Sequence, residues 1–127
     1  CNPGVDRPNG RSCFLAKSVY CAEKQKQGWA FHDIIFQYQN QLYQSEGPEG
    51  LRADLDKLTQ HLNYSREDLK ACIDAVETQE AIEYQAQQGL SLKVQGTPTI
   101  FANGRILQMG QMIPVLEGVY SKSSKTK

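Results

Sequence analysis

The residues of this chain best suited to chemistry are its four cysteines and a proline corner late in the sequence. The cysteines are Cys1, Cys13, Cys21 and Cys72, and no two of them have the C-x-x-C spacing of a redox-active dithiol. Thr97 and Pro98 stand in a Gly-Thr-Pro-Thr run directly before a short apolar segment. A proline at a strand entry does little harm to a hydrogen-bonded ladder, and an X-Pro bond can be held cis there. The sequence thus offers thiols and a backbone corner, but not the paired thiols of a C-x-x-C motif.

Cys1 and Cys13 flank a loop rich in proline and glycine that can bring them together. Three interpretations stay open: a structural disulfide worth about 3 kcal/mol by loop entropy, a pair of free thiols, or a reactive pair. The reactive pair is considered because Cys13 lies near a predicted helix start, where a thiolate is favoured. We favour the structural disulfide. Cys21 and Cys72 lie beside apolar residues in predicted helices, and we expect buried, inert thiols there.

His32 precedes Asp33, which invites a nucleophile–base interpretation with Cys21. His32 lies eleven positions after Cys21, across helix and turn, so we prefer a helix-surface or capping role for this histidine. The other histidine, His61, lies far along the chain, and none of the cysteine spacings fits a zinc site. We therefore expect neither a metal nor a cofactor.

Length and composition describe one ordinary globular domain. The chain has 127 residues, of which 39% are hydrophobic and 22% are charged. Its 14 basic and 14 acidic side chains cancel, so no strong field favours nucleic acid or an anionic membrane. No apolar run approaches the roughly 20 residues of a membrane span. The chain begins with Cys1 and not with Met, and we expect that it was cut from a longer polypeptide or processed.

Helical periodicity dominates the first two thirds of the chain. Ser12 is predicted to cap a helix that runs to about Lys26, with Gly28 ending it. A second helix is predicted over residues 29–43, followed by a turn over residues 45–50. Three more helices are predicted from apolar repeats. The first carries Leu51, Leu55, Leu58 and Leu62. The second begins at a Ser65 cap and carries Leu69, Ile73 and Val76, and the third carries Ile82, Ala86 and Leu90 with Gly89 as its C-cap.

The last third changes character. Asn103 and Gly104 tolerate the positive φ of a type I′ turn, so Ile100–Ala102 and Arg105–Leu107 are predicted to form a tight hairpin. A final helix is predicted from about Met112, with Pro114 harmless in its first turn and Ile113, Leu116 and Tyr120 repeating along it.

Three motifs in this order resemble those of DsbA-like thioredoxin-fold thiol–disulfide oxidoreductases. The corner and turn are similar to that family's G-T-P-T-x-x-x-N-G segment. Residues 21–36 resemble its C-A-x-x-Q-G-x-W-x-x-H-D-x-x-F segment, and the Leu-Lys-Ala-Cys run ending at Cys72 resembles its cysteine-bearing helix. Similar domains occur alone and fused to vitamin K epoxide reductase-like membrane enzymes.

The resemblance implies an α/β thioredoxin-like fold with a helical insertion. This chain would be its mostly α portion, a single partial domain with a helical subdomain over residues 1–92 and the cis-proline hairpin and last helix over residues 93–127. It also implies that Thr97 and Pro98 form a wall for extended substrates. The strand, dithiol helix and second strand that precede this point in the family, including C-x-x-C, are not in this sequence. No catalytic residue is therefore assigned, and we expect the isolated chain to be inactive.

Two functions follow as expectations. In the first, the chain is part of a protein disulfide oxidoreductase of the bacterial periplasm or cell envelope, with protein or peptide thiols and disulfides as substrates and a membrane redox partner. In the second, it is a redox-inactive thioredoxin-like module for binding or dimerisation. The strand over residues 99–102 lacks flanking strands, so we also expect a homodimer, a domain swap or a tightly held N-terminal piece.

Overall fold

The computed structural model describes residues 10–108 and 110–124, which form helices and one hairpin. Their helices are α1 (Arg11–Glu23), α2 (Gly28–Gln37), α3 (Gln39–Gln44), α4 (Gly47–Leu58), α5 (Arg66–Asp74), α6 (Val76–Ser91) and α7 (Met112–Ser124). The strands are β1 (Ile100–Ala102) and β2 (Arg105–Leu107). This mostly α, thioredoxin-like arrangement with a single hairpin confirms the predicted fold class. No helix in the described part is long and apolar enough to cross a membrane.

The chain divides into two compact units, one over Cys1–Gly89 and one over Leu90–Lys127. The first unit contains the apolar core, which α1 to α5 build together. Its largest fully buried side chains are Phe31 and Leu42, both at 0% exposure, and Leu51 at 1%. Phe31 meets the ring of Tyr64 edge to face at 5.2 Å, a favoured aromatic geometry. A single close-packed core therefore fixes the relative positions of these five helices.

Several helix boundaries differ from the sequence predictions because backbone capping and packing decide them. Helix α1 begins after Gly10, so the predicted Ser12 cap is wrong. The predicted single helix over residues 29–43 is broken at Tyr38 into α2 and α3. The predicted turn over residues 45–50 is wrong from Gly47 onward, because Pro48 occupies the first turn of α4, where its missing N–H costs nothing.

Gly28 is another correction, because it starts α2 instead of only ending α1. A Cβ at this position would lie 2.2 Å from Glu23 Oε2 and 3.0 Å from Glu23 Cβ, so a larger residue here would require the Glu23 side chain to move. Gly89 is likewise not a C-cap, since α6 continues to Ser91. Val76 was predicted to face inward on the α5 helix, but it opens α6 and is 68% exposed.

Other local predictions are confirmed. Ser65 is the N-cap of α5, and its hydroxyl accepts a hydrogen bond from the Asp68 N–H at 3.2 Å. Leu51 and Leu55 are buried on one side of α4. The hairpin forms with the predicted strands, and its register pairs Ile100 with Leu107.

Candidate functional site

The proline corner lies in the second unit, at the entry to β1. Thr97 and Pro98 are exposed, and the peptide bond between them is cis. The Thr99 hydroxyl donates to the carbonyl of Gly96, which closes the segment around the proline. The corner therefore leads directly into Ile100, the first residue of the strand.

The hairpin after the corner is set by its turn. Asn103 and Gly104 have φ of 50° and 77°, the left-handed values that a type I′ turn needs. Among the described residues β1 pairs only with β2, in a two-stranded antiparallel sheet. One edge of β1 therefore presents backbone N–H and C=O groups without a strand partner, and such an edge can pair with an extended chain.

Apolar side chains of the second unit stand in solvent. Ile106 of β2 is 51% exposed, and the apolar repeat of α7 is exposed throughout, with Ile113 at 69% and Tyr120 at 74%. None of the residues of β1, β2 or α7 that the structure describes is fully buried. Among its described residues, the second unit therefore contains no buried core to cover the apolar side chains of α7.

Cys21 and Cys72 form a disulfide that joins α1 to α5 across 51 residues of sequence. The prediction of two inert free thiols is therefore wrong, because the two helices bring these distant side chains within bonding distance. Cys21 is buried at 1% exposure, whereas Cys72 is only partly buried. The Thr78 hydroxyl lies 3.8 Å from Cys21 Sγ and 3.5 Å from Cys72 Sγ, which fixes the first turn of α6 against the cross-link.

The other predicted pair is Cys1 with Cys13, and Cys1 lies outside the residues that the structure describes. Cys13 is completely buried on α1 and is not a free thiol. The pairing itself stays a prediction.

His32 does not form a nucleophile–base pair with Cys21, whose sulfur is already bonded to Cys72. Its Nδ1 lies 3.0 Å from Asp33 Oδ1, and both side chains are substantially exposed. The imidazole stands between Trp29 and Phe36, with ring centroids at 5.3 Å and 4.6 Å. The histidine is thus part of an exposed aromatic ridge on α2. No group of three or more metal-ligating side chains occurs among residues 10–108 and 110–124.

The first unit is a helical bundle with a disulfide, and the second carries a proline corner that precedes a short hairpin. These features are those of a thioredoxin-like module. A comparison with protein-family models identifies the family. The model of the DSBA-like thioredoxin domain matches residues 8–120, so the chain belongs to this family, whose modules are of the thiol–disulfide oxidoreductase type. Domains of this kind are generally extracytoplasmic. Searches of curated proteins and of solved structures gave no match to the chain.

Proposed function

We propose that this chain acts in a protein thiol–disulfide oxidoreductase as the helical subdomain and the substrate wall formed by Thr97 and Pro98. The catalytic dithiol comes from a C-x-x-C segment outside these 127 residues. The observation that carries the proposal is the open edge of β1, which begins two residues after Pro98 in a chain of the DSBA-like family.

In this proposal the C-x-x-C segment carries out the sulfur chemistry, and the wall formed by Thr97 and Pro98 positions the substrate. A thiolate of the dithiol attacks a substrate disulfide, forms a mixed disulfide and expels one substrate thiolate. The second thiol of the dithiol then attacks the mixed disulfide, so the dithiol is oxidised and the substrate is reduced to two thiols. Run in the opposite direction, the same steps oxidise a substrate dithiol. The wall contributes position alone, because backbone pairing along β1 holds the substrate chain extended while sulfur exchange occurs.

The cysteines of this chain fit a supporting role in that scheme. Cys21 and Cys72 are already bonded to each other in the core of the first unit, and Cys13 is completely buried. A nucleophilic thiol has to be accessible as a thiolate. We therefore expect no insulin reduction or oxidation by the isolated chain above the uncatalysed rate.

The experiment adds the missing segment. A longer protein that carries a strand, a C-x-x-C helix and a second strand before Cys1 should reduce insulin, and Pro98→Ala in that protein should lower the rate. Pro114→Ala, in the first turn of α7, is the matched control and should leave the rate unchanged. Turnover by the isolated chain that disappears with Cys13→Ser would refute the proposal and make Cys13 the reactive thiol.

The second candidate is a redox-inactive module for binding or dimerisation. It is favoured by the exposed apolar side chains of the hairpin and α7, together with the open strand edge, since such edges recruit further strands. Sedimentation distinguishes the two: a concentration-dependent dimer of the isolated chain, combined with an inactive longer protein, favours the module. A clean monomer at high concentration with a normal cooperative melt contradicts it.

We also propose a compartment for this protein. An oxidising compartment preserves the Cys21–Cys72 disulfide, and we place the protein in the bacterial periplasm or cell envelope, where a membrane redox partner would reset the dithiol. Fractionation of the native protein, with the redox state of Cys72 measured by alkylation, tests this placement.

A further inference from the structure

The Cys21–Cys72 disulfide of the first unit has one protected end and one approachable end. Cys21 is 1% exposed, whereas Cys72 keeps part of its surface in solvent. The rate of thiol–disulfide exchange depends on which sulfur the attacking thiolate can reach. The geometry therefore directs attack to Cys72 Sγ and makes Cys21 the leaving thiolate.

A thiolate that leaves at Cys21 develops its charge inside the apolar core. Cys21 belongs to the same cluster of buried side chains as Phe31 and Leu69. A charge formed in such surroundings is costly unless a hydrogen-bond donor meets it. An inert cross-link needs no donor at this place, whereas a disulfide that exchanges does.

Thr78 supplies this donor. Its side chain is 2% exposed, and its hydroxyl lies 3.8 Å from Cys21 Sγ and 3.5 Å from Cys72 Sγ. Since the sulfurs of a disulfide carry no hydrogen, the hydroxyl is the donor in both contacts. Within the part of the chain that the structure describes, this hydroxyl has no other hydrogen-bond partner. A buried hydroxyl is thus directed at the two sulfurs alone.

The strength of this contact depends on the state of the sulfurs. A neutral sulfur is a weak acceptor, and hydrogen bonds to an ionised acceptor are roughly twice as strong as neutral ones. The Thr78 hydroxyl is therefore better satisfied when the cross-link opens than when it is closed. This difference lowers the barrier to opening, because charge grows on the leaving sulfur in the transition state. A residue that only packs against the disulfide would have the opposite effect.

We propose that Cys21–Cys72 is an exchangeable disulfide that accepts electrons from a small dithiol, with Thr78 stabilising the leaving thiolate. One thiolate of the dithiol forms a bond to Cys72 Sγ while the Sγ–Sγ bond breaks, and the electron pair of that bond goes to Cys21 Sγ. The second thiolate of the dithiol attacks the first sulfur, closes a cyclic disulfide and expels Cys72. The dithiol loses two electrons, and its two protons end on Cys21 and Cys72.

This exchange is independent of the proposed oxidoreductase role. It takes place within the first unit and needs no C-x-x-C segment. Its substrate is a small dithiol because the one sulfur open to attack is itself partly buried. Each chain consumes one dithiol, so the expectation of no insulin turnover by the isolated chain is unchanged.

Reduction of the folded chain by dithiothreitol tests the proposal. Freed thiols are alkylated, and peptide mapping follows Cys21 and Cys72 separately from Cys13. The rate should be proportional to the dithiothreitol concentration and insensitive to urea below the unfolding transition. With glutathione in place of the dithiol, the adduct should be recovered on Cys72. A rate that levels off with dithiothreitol or climbs in low urea would overturn the proposal, because only the unfolded chain would then be reduced. So would a glutathione adduct on Cys21.

Variants of Thr78 separate its chemical role from packing. Thr78→Val keeps the shape of the side chain and removes the hydroxyl. Its rate constant for reduction should fall about tenfold, as expected for loss of a hydrogen bond to a charged group, and its equilibrium with dithiothreitol should shift toward the disulfide. Thr78→Ser should retain both values. A Thr78→Val protein that is reduced as fast as the wild type, or faster, would overturn the proposal.

Thr59→Val is the matched control. It also removes a buried hydroxyl from the first unit, but one that bonds to the Leu55 carbonyl at 2.8 Å and to the Tyr64 hydroxyl at 2.7 Å. It should lower the free energy of unfolding and leave the rate and equilibrium of reduction in the folded state unchanged. Equal changes in Thr59→Val and Thr78→Val would contradict a specific action of Thr78 on the sulfurs.

Discussion

Removing the Cys21–Cys72 disulfide should cost the first unit a large part of its stability. The cross-link closes a loop of 51 residues, and the loop-entropy relation gives about 4 kcal/mol for a loop of that length. Replacing both cysteines by alanine also deletes a buried sulfur at Cys21, which adds about 1 kcal/mol for the space left behind. A domain of this size is typically stable by about 5–15 kcal/mol, so the double variant should unfold at much lower denaturant.

Urea unfolding followed by far-ultraviolet circular dichroism measures this loss. Tryptophan fluorescence is less suitable, because Trp29 is already 77% exposed in the folded state. The expected result is a drop of about 4–5 kcal/mol in the free energy of unfolding for Cys21→Ala/Cys72→Ala under oxidising conditions. A non-reducing peptide map of the wild type should first recover Cys21 and Cys72 in one linked pair.

A reductant supplies the internal control. When the wild type is reduced it loses the same cross-link, so the difference between wild type and variant should shrink to the roughly 1 kcal/mol of the buried sulfur. A loss below about 1 kcal/mol under oxidising conditions would refute the loop-entropy reasoning. A difference unchanged by reductant would show that packing, and not the covalent bond, carries the stability.

Three further perturbations test the packing and capping of the first unit by urea unfolding. Gly28→Ala should destabilise by about 1 kcal/mol because its Cβ meets the Glu23 carboxylate, and Glu23→Ala in the same protein should remove most of that penalty; additive effects would contradict the clash. Ser65→Ala should cost about 1 kcal/mol through loss of the hydroxyl that accepts from the Asp68 N–H, whereas Ser65→Asp should be nearly neutral, and equal losses for both would rule out capping. Leu55→Ala, at 2% exposure, should cost about 2–5 kcal/mol, and a loss under 1 kcal/mol would show that the core around α4 is loosely packed.

The sequence by itself determined the local features of the fold, because a turn or a helix cap depends on only a few neighbouring residues. The turn at Asn103 and Gly104 follows from their tolerance of positive φ, and the cap at Ser65 from a hydroxyl three residues ahead of an unpaired N–H. The three motifs together, at residues 21–36, at the run ending in Cys72 and around Pro98, likewise sufficed to suggest the family that the model of the DSBA-like domain confirms.

Only the tertiary structure decided the features that join distant segments. Four cysteines allow three full pairings, and the choice of Cys21 with Cys72 required α1 and α5 to pack side by side. Spacing along a chain encodes the period of a helix, but which helices meet is settled by the free energy of burying all their apolar faces together.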